Sequence, residues 1–270
     1  MRERRNPLLT VFAILVYIFL FTPIAILILF SFNDSRRNFV WRGFTLDWYP
    51  RLAANGDLLD ALGRTLQVAA VAVVAATLLG TLLGLGLARM RSRGRGTAET
   101  LLLLPMVTPE IIMGISLLLF FAQLFGGQGS LVQITIAHIT FCISYVAVVV
   151  RARAIGLDPQ LEEAGRDLGA SAWGAFRFVT LPLLTPAVAA GAMLAFALSF
   201  DDLVITTFNA GVGSSTLPLY IYSKIRFGVT PEINAISTII VAVTSIAILL
   251  AWRLGPSRGQ DRGPEASSRP

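Results

Sequence analysis

Apolar residues in this chain form long runs, and six of these runs could each cross a membrane. A helix needs about 20 mostly apolar residues to span the hydrocarbon core of a bilayer. The runs are Leu8–Phe32, Leu66–Ala88, Leu101–Phe125, Leu131–Val150, Leu183–Phe208 and Ala235–Leu254. The pattern predicts an all-α, polytopic membrane protein with six transmembrane helices over residues 8–254. We expect residues 1–7 to form a short N-terminus and residues 255–270, rich in Gly, Pro, Ser and Arg, to form a disordered tail.

The basic residues predict how the chain is oriented. Charged residues make up only 14% of the chain, against about 25% in an average soluble domain. Six spans place both termini on one side, and the segments on that side carry 15 of the 22 Lys and Arg residues. Because basic flanks stay in the cytoplasm, we predict that both termini are cytoplasmic. The net charge of +6 then reflects topology and contact with anionic membrane lipid, and it does not call for nucleic acid.

The first apolar run follows the basic segment "MRERR", an arrangement also found in signal peptides. The run is too long for the apolar region of a signal peptide, and no small-residue cleavage pattern follows it. We therefore expect it to remain as a membrane anchor. In the second run, Gly80 and Gly84 have the G-x-x-x-G spacing that lets two helix backbones approach closely.

The polar segment between the fourth and fifth spans predicts a helix, a turn and a second helix, over residues 158–182. Asp158 and Pro159 suit the start of a helix, as N-cap and first helical residue. An apolar face then comprises Leu161, Ala164 and Leu168, and a polar face comprises Glu162, Glu163, Arg166 and Asp167. Gly169 offers a break. A second apolar stripe, Trp173, Phe176 and Val179, leads to Pro182, which can open the fifth span.

This segment resembles the signature of bacterial ABC importer permeases, E-A-A-x3-G-x9-I-x-L-P. The matching positions are Glu163, Ala164, Gly165, Gly169, Val179, Leu181 and Pro182. Gly165 replaces the second Ala of the signature, and Val179 replaces its Ile. In that family the segment is the coupling loop, which docks in a groove of the cytoplasmic ATPase. The resemblance therefore implies a type I ABC importer (MetI-like) transmembrane domain in the bacterial inner membrane.

Within that family, residues 8–254 look most like the permeases of spermidine/putrescine importers. The segments that carry this likeness include "LPMVTPEIIMG", "SFDDLVITTFNAGVGSS" and "FTLDWYPRL". The resemblance implies a chain that forms half of a translocation pathway, with a second homologous permease, a dimer of ATP-binding subunits and an extracytoplasmic polyamine-binding protein. It leaves open a permease for another small solute, such as an aminophosphonate.

An enzyme and a secondary transporter are two alternatives from other classes. The chain has one His, one Cys and no Walker A motif, so we expect no catalytic residues, no metal site and no cofactor of its own. ATP would be bound by the partner subunit. Secondary transporters usually show internal repeats with broken helices in each half, and the sequence has no such repeat.

Carboxylates inside the apolar runs are candidates for the substrate pathway, because each costs about 2.5–3.5 kcal/mol to insert. If the fifth span is one helix, Asp202 shares a polar face with Ser199, Thr206 and Asn209. We therefore predict that Asp202 faces the pathway and that Asp201 pairs with a neighbouring helix or subunit. Glu110 could cap a half-helix beside Pro109 or contact the substrate. For His138, a hydrogen-bonded packing role is favoured over contact with substrate.

Overall fold

A computed structural model describes residues 7–35, 40–126, 129–226, 228 and 230–254. The regular elements in these ranges are helices, apart from an isolated bridge between Asn33 and Phe44. The helices are α1 (Pro7–Phe30), α2 (Trp48–Ala53), α3 (Gly56–Arg89), α4 (Arg95–Val107), α5 (Glu110–Phe125), α6 (Leu131–Ile155), α7 (Pro159–Asp167), α8 (Ala172–Ala175), α9 (Leu181–Asp201), α10 (Val204–Asn209), α11 (Leu217–Ile225) and α12 (Pro231–Leu254). A π-helical turn, Phe176–Thr180, joins α8 to α9. The all-α membrane fold is confirmed, while the predicted N-terminal segment before Pro7 and the predicted tail lie outside the described residues.

Four helical segments are long and apolar enough to cross a membrane alone: α1, α3, α6 and the stretch Ala172–Asp201, which contains α9. A fifth span can be made from α4 and α5, which meet at an angle of 104°. In α12 the apolar stretch found is the shorter Pro231–Ile246. The number six therefore stays a prediction.

The predicted span Leu101–Phe125 is broken at Thr108 and Pro109. Proline lacks the N–H of a helical hydrogen bond and disfavours helical geometry in the residue before it, and Thr108 accordingly has extended geometry. The Thr108 hydroxyl donates a hydrogen bond of 2.7 Å to the carbonyl of Leu104. This bond supplies a partner near the break, where the bilayer offers no water.

The chain forms two compact units, Asn55–Ser223 and a second unit made of residues up to Ala54 and from Lys224 onward. In the second unit α1 carries no buried side chains. The chain beyond α1 is organised by Asn33, which is fully buried. Its side chain donates to the carbonyl of Val40 and accepts from the N–H of Arg42, both at 2.9 Å.

The core of the unit Asn55–Ser223 is formed by α3, α6 and α9 packed against one another. Many of the buried positions on α3 and α9 are small, among them Ala72, Ala76 and Ala195. Larger side chains from α6, such as Ile134, Val146 and Val150, are fully buried. Small residues let membrane helices approach closely, and this is a main source of their attraction where water cannot drive association.

The predicted packing role of Gly80 and Gly84 is confirmed. A Cβ atom on Gly80 would lie 2.7 Å from the Cβ of Val146, and one on Gly84 would lie 2.5 Å from the carbonyl oxygen of Ala147. The α3 backbone therefore touches α6 directly at these two positions.

We expect Gly84→Ala to destabilise the protein by about 1–3 kcal/mol, the usual cost of overpacking, because the added methyl group meets backbone of α6. Gly86→Ala is the matched control on the same helix, since a Cβ there has no neighbour within 4 Å. Thermal unfolding in detergent measures both. Equal melting temperatures for the two variants would contradict this packing.

Candidate functional site

The coupling loop begins with the predicted helix start. The Asp158 side chain accepts a hydrogen bond of 2.9 Å from the N–H of Gln160, and Pro159 occupies the first turn of α7. Proline fits there because the first N–H groups of a helix have no intrahelical partner. Both local predictions are confirmed.

The turn after α7 is built around Gly169, as predicted. Its φ of +91° lies in the left-handed region, which favours glycine. The N–H of Gly169 donates to the carbonyl of Arg166 at 2.9 Å, and the N–H of Ala170 donates to the carbonyl of Gly165 at 3.2 Å. This pair of bonds is a Schellman motif, which ends a helix at a glycine. Ser171 then caps α8 through the N–H of Gly174.

The predicted apolar face of α7 is not covered by the described part of this chain. Leu161 is 48% exposed, Leu168 is 90% exposed, and Ala164 is also exposed. Trp173 at the start of α8 is 66% exposed. Glu163 lies exposed beside this face. An exposed apolar patch with a charged rim is typical of a protein contact surface.

The two positions that depart from the ABC signature lie against each other. A Cβ on Gly165 would lie 3.2 Å from a methyl carbon of Val179, so glycine leaves room for valine to pack on α7. Val179 is half-buried, whereas Leu181 and Pro182 are exposed at the start of α9. The coupling positions therefore divide into a packed pair and an exposed remainder.

The prediction that Glu162 belongs to the polar, solvent-facing side of α7 is wrong. Its side chain is only 18% exposed and contacts Arg89 at the end of α3. It accepts a hydrogen bond of 2.9 Å from the hydroxyl of Thr180 and one of 3.2 Å from Arg166. Burial acts to raise the pKa of Glu162, but the Thr180 hydroxyl and Arg89 outweigh it and hold the pKa below its ordinary value. No signal in the local sequence identified this cluster.

The fifth span is not the continuous helix that the sequence predicted. Helix α9 ends at Asp201, Asp202 has extended geometry, and α10 begins at Val204. Asp202 itself caps the new helix: its carboxylate accepts from the N–H of Ile205 at 3.2 Å and from the N–H of Thr206 at 2.8 Å. The apolar pattern runs through this point without a Pro or Gly, so it did not indicate a break.

His138 of α6 joins both sides of the break. Its Nδ1 lies 2.8 Å from the hydroxyl of Ser199, and its Nε2 lies 3.2 Å from both Asp202 Oδ2 and Thr206 Oγ1. A carboxylate can only accept, so Nε2–H is the donor to Asp202. The side chains of His138 and Asp202 are 2% and 6% exposed. The hydrogen-bonded packing role predicted for His138 is confirmed.

The two adjacent acids have different environments, and the roles predicted for them in the pathway and in pairing stay predictions. Asp202 is buried and hydrogen-bonded, whereas Asp201 is exposed and has no ion-pair partner among the described residues. The helical wheel grouped Asp202 with Ser199 and Thr206 correctly, since all three contact His138, but it did not indicate that the helix ends at Asp201. Of the other candidate pathway residues, Glu110 is exposed. The remaining three are buried: Ser199, Thr206 and Asn209.

Asn209 contacts α5, and Glu110 is its first residue. The Asn209 amide donates 3.3 Å to the carbonyl of Gly114, so it fastens α10 to α5. Glu110 is the first residue of α5, where a carboxylate is favoured by the helix dipole.

Comparison with known families assigns this arrangement to a class. The family of binding-protein-dependent transport system inner membrane components matches residues 76–254, which include the coupling loop and the broken helix. The chain belongs to this family. It is a multi-pass inner-membrane permease of an ABC importer.

Two relatives from Escherichia coli (strain K12) are similar along nearly the whole chain. The putrescine transport system permease protein PotI is 41% identical over 256 residues, covering 93% of this chain and 91% of PotI. The spermidine/putrescine transport system permease protein PotC is 43% identical over 239 residues, covering 88% of this chain and 90% of PotC.

Solved structures share the fold. A bacterial ABC transporter involved in the import of the acidic polysaccharide alginate matches with a TM-score of 0.67 at 17% identity, covering 94% of this chain and 97% of the other. A bacterial alginate ABC transporter in complex with an alginate pentasaccharide-bound periplasmic protein matches with a TM-score of 0.69 at 18% identity, covering 90% of each. At this identity the likeness extends to the fold alone.

We expect Asp202→Asn to lower the stability of the protein by about 1–3 kcal/mol, because the neutral amide leaves a buried N–H or the imidazole without its partner. Asp201→Asn is the matched control and should leave the melting temperature unchanged, since that side chain is exposed. Thermal unfolding of both variants in detergent measures this difference in stability. A lower melting temperature for Asp201→Asn alone would contradict the structural role of Asp202.

Proposed function

We propose that this chain forms half of the translocation pathway of an ATP-driven importer of polyamines such as putrescine and spermidine. The observation that carries the proposal is its 41–43% identity to permeases named for those substrates, along about nine-tenths of the chain. A polyamine is a flexible chain with two or more ammonium groups, so its pathway requires acidic groups. The alternative, an aminophosphonate importer, would need cationic groups for the phosphonate as well.

The partners follow from the coupling loop. One loop contacts one ATPase subunit, and an importer of this class uses two ATP sites, so a second, homologous permease completes the membrane channel. An ATPase dimer binds on the cytoplasmic side, and a polyamine-binding protein delivers cargo on the other. The exposed apolar face of α7, with Leu161 and Leu168, supports this docking role. We further propose that both termini are cytoplasmic, as the arginine distribution favours.

Two exposed acids support a cation pathway. Asp201 ends α9, and Glu110 starts α5 at the break in its span. An exposed carboxylate inside a membrane is too costly to face lipid, so a partner permease or an aqueous cavity covers these positions. We propose that Asp201 and Glu110 attract the ammonium groups, and that Ser199, Asp202, Thr206 and Asn209 shape the wall from behind.

We expect Glu163→Lys and Gly169→Asp to abolish capture of the ATPase while the chain still inserts in the membrane. The first reverses a charge on the exposed face, and the second forces a side chain into a left-handed turn. Co-purification with the ATPase and stimulated ATP hydrolysis are the measurements. The control is Asp57→Lys, a charge reversal at an exposed acid in the first turn of α3, outside the coupling loop. Full stimulation by both variants would remove the docking assignment.

We expect Asp201→Asn and Glu110→Gln each to reduce putrescine uptake about 10-fold or more, because a pathway carboxylate gains its favourable energy from the arriving cation. Docking of the ATPase and the melting temperature should be unchanged. Uptake into vesicles that contain the complete importer is the readout, with Asp57→Asn as an exposed-acid control. Wild-type uptake by both variants would rule out these residues as the pathway acids.

A further inference from the structure

Glu162 connects three parts of the unit Asn55–Ser223 that are far apart in sequence. One carboxylate oxygen contacts both Arg89, 73 residues away at the end of α3, and the hydroxyl of Thr180, which is 5% exposed. The other oxygen accepts from Arg166 on α7 itself. The carboxylate therefore joins the coupling helix to the cytoplasmic ends of α3 and α9.

In the described part of the chain, the main helix contacts of α7 are with α8 and the π-helical turn. Glycines lie at both ends, Gly156 and Gly169, and they allow the backbone to pivot. Leu168 on the apolar face of α7 is 90% exposed and Leu161 is half-exposed, while Gly165 approaches Val179 and Ala175. Without Glu162, α7 could tilt while α3 and α9 stayed in place.

This cluster fixes the position of α7 and adds little to the free energy of unfolding. A single exposed ion pair contributes about 0–1 kcal/mol to stability. Charge-assisted bonds from two guanidinium groups and a hydroxyl to one carboxylate nevertheless fix its position in space. The π-helical turn that ends at Thr180 is a further departure from regular helix of a kind often found at functional sites.

We propose, on the basis of the proposed coupling function, that Glu162 is the positioning residue that transmits movement of the coupling helix to α3 and α9. It acts through Arg89 and Thr180 and does not itself contact the ATPase. The motif residue Glu163 then belongs to the docking surface, and its neighbour Glu162 belongs to transmission. Loss of Glu162 should separate ATP hydrolysis from transport.

The first test measures movement without any substrate. Spin labels are placed at two exposed positions, Gln160 on α7 and Leu82 on α3, with Cys142 replaced by alanine. In the importer bound to its ATPase, we expect the distance between the labels to stay constant between nucleotide-free and ATP-bound states. In Glu162→Gln it should change on ATP binding, because α7 then moves alone. An unchanged distance in that variant would overturn the proposal.

The second test measures coupling. Glu162→Gln and Arg89→Gln should each retain ATPase capture and hydrolysis yet lower the putrescine taken up per ATP hydrolysed at least 5-fold. The double variant should be no worse than either single one, since both remove the same contact. Glu162→Asp, which keeps a carboxylate at this position, should retain part of the coupling that Glu162→Gln loses. Asp60→Asn, which removes a carboxylate paired with Arg64 on the same α3 helix, is the control.

The outcomes separate this inference from the proposed function. If the wild-type chain captures no ATPase, the coupling function fails; if it captures the ATPase but takes up no putrescine, only the substrate fails and the label distances still decide. Loss of ATPase capture in Glu162→Gln would place Glu162 in the docking surface and overturn the proposal. A normal ratio of uptake to hydrolysis in Glu162→Gln and Arg89→Gln would do the same.

Discussion

The hydrogen bonds of Asp202 stabilise a break in a membrane helix. At such a break, the backbone N–H and C=O groups that lose their helical partners have no water to bind instead. An unsatisfied N–H or C=O group in the hydrocarbon region costs several kcal/mol. The two oxygens of Asp202 take up N–H groups at the start of α10, and His138 supplies the donor that balances the buried carboxylate. Because the break directs α10 onto α5, where Asn209 meets Gly114, the arrangement of the broken third span depends on it as well.

A second polar cluster lies at the opposite end of the same helix. Helix α9 runs for 21 residues from Leu181 to Asp201, about 30 Å at 1.5 Å per residue. Thr180 immediately before it contacts Glu162 of the coupling helix, and Asp202 immediately after it contacts His138. Under the proposed coupling, a helix with a polar contact at each end carries a displacement from residues 158–182 to the break at Asp202. Alternating access requires such an element, since packed helices shift as units.

Local rules recovered much of this fold from sequence, whereas long-range polar contacts escaped them. Apolar runs located the helices, and cap chemistry located Asp158, Pro159 and Gly169. The break at Asp202 carries no Pro or Gly, so the apolar pattern did not indicate it, although the helical wheel grouped Asp202 with Ser199 and Thr206 correctly. Glu162 faces inward because of Arg89, and no helix-face pattern reports a partner 73 residues away. One usable signal was present: a lone His and an Asp within apolar spans need partners, and each can supply the other.

The central claim is that this permease imports polyamines only as part of a complete ABC importer. The most direct measurement is uptake of labelled putrescine and spermidine into vesicles that contain this chain, its second permease, the ATPase and the binding protein, with ATP inside. We predict that polyamine uptake stops when any one component or ATP is omitted. We also predict that an added aminophosphonate does not compete with polyamine uptake. Polyamine uptake by this chain alone, or uptake of the aminophosphonate in place of polyamines by the complete importer, would contradict the account.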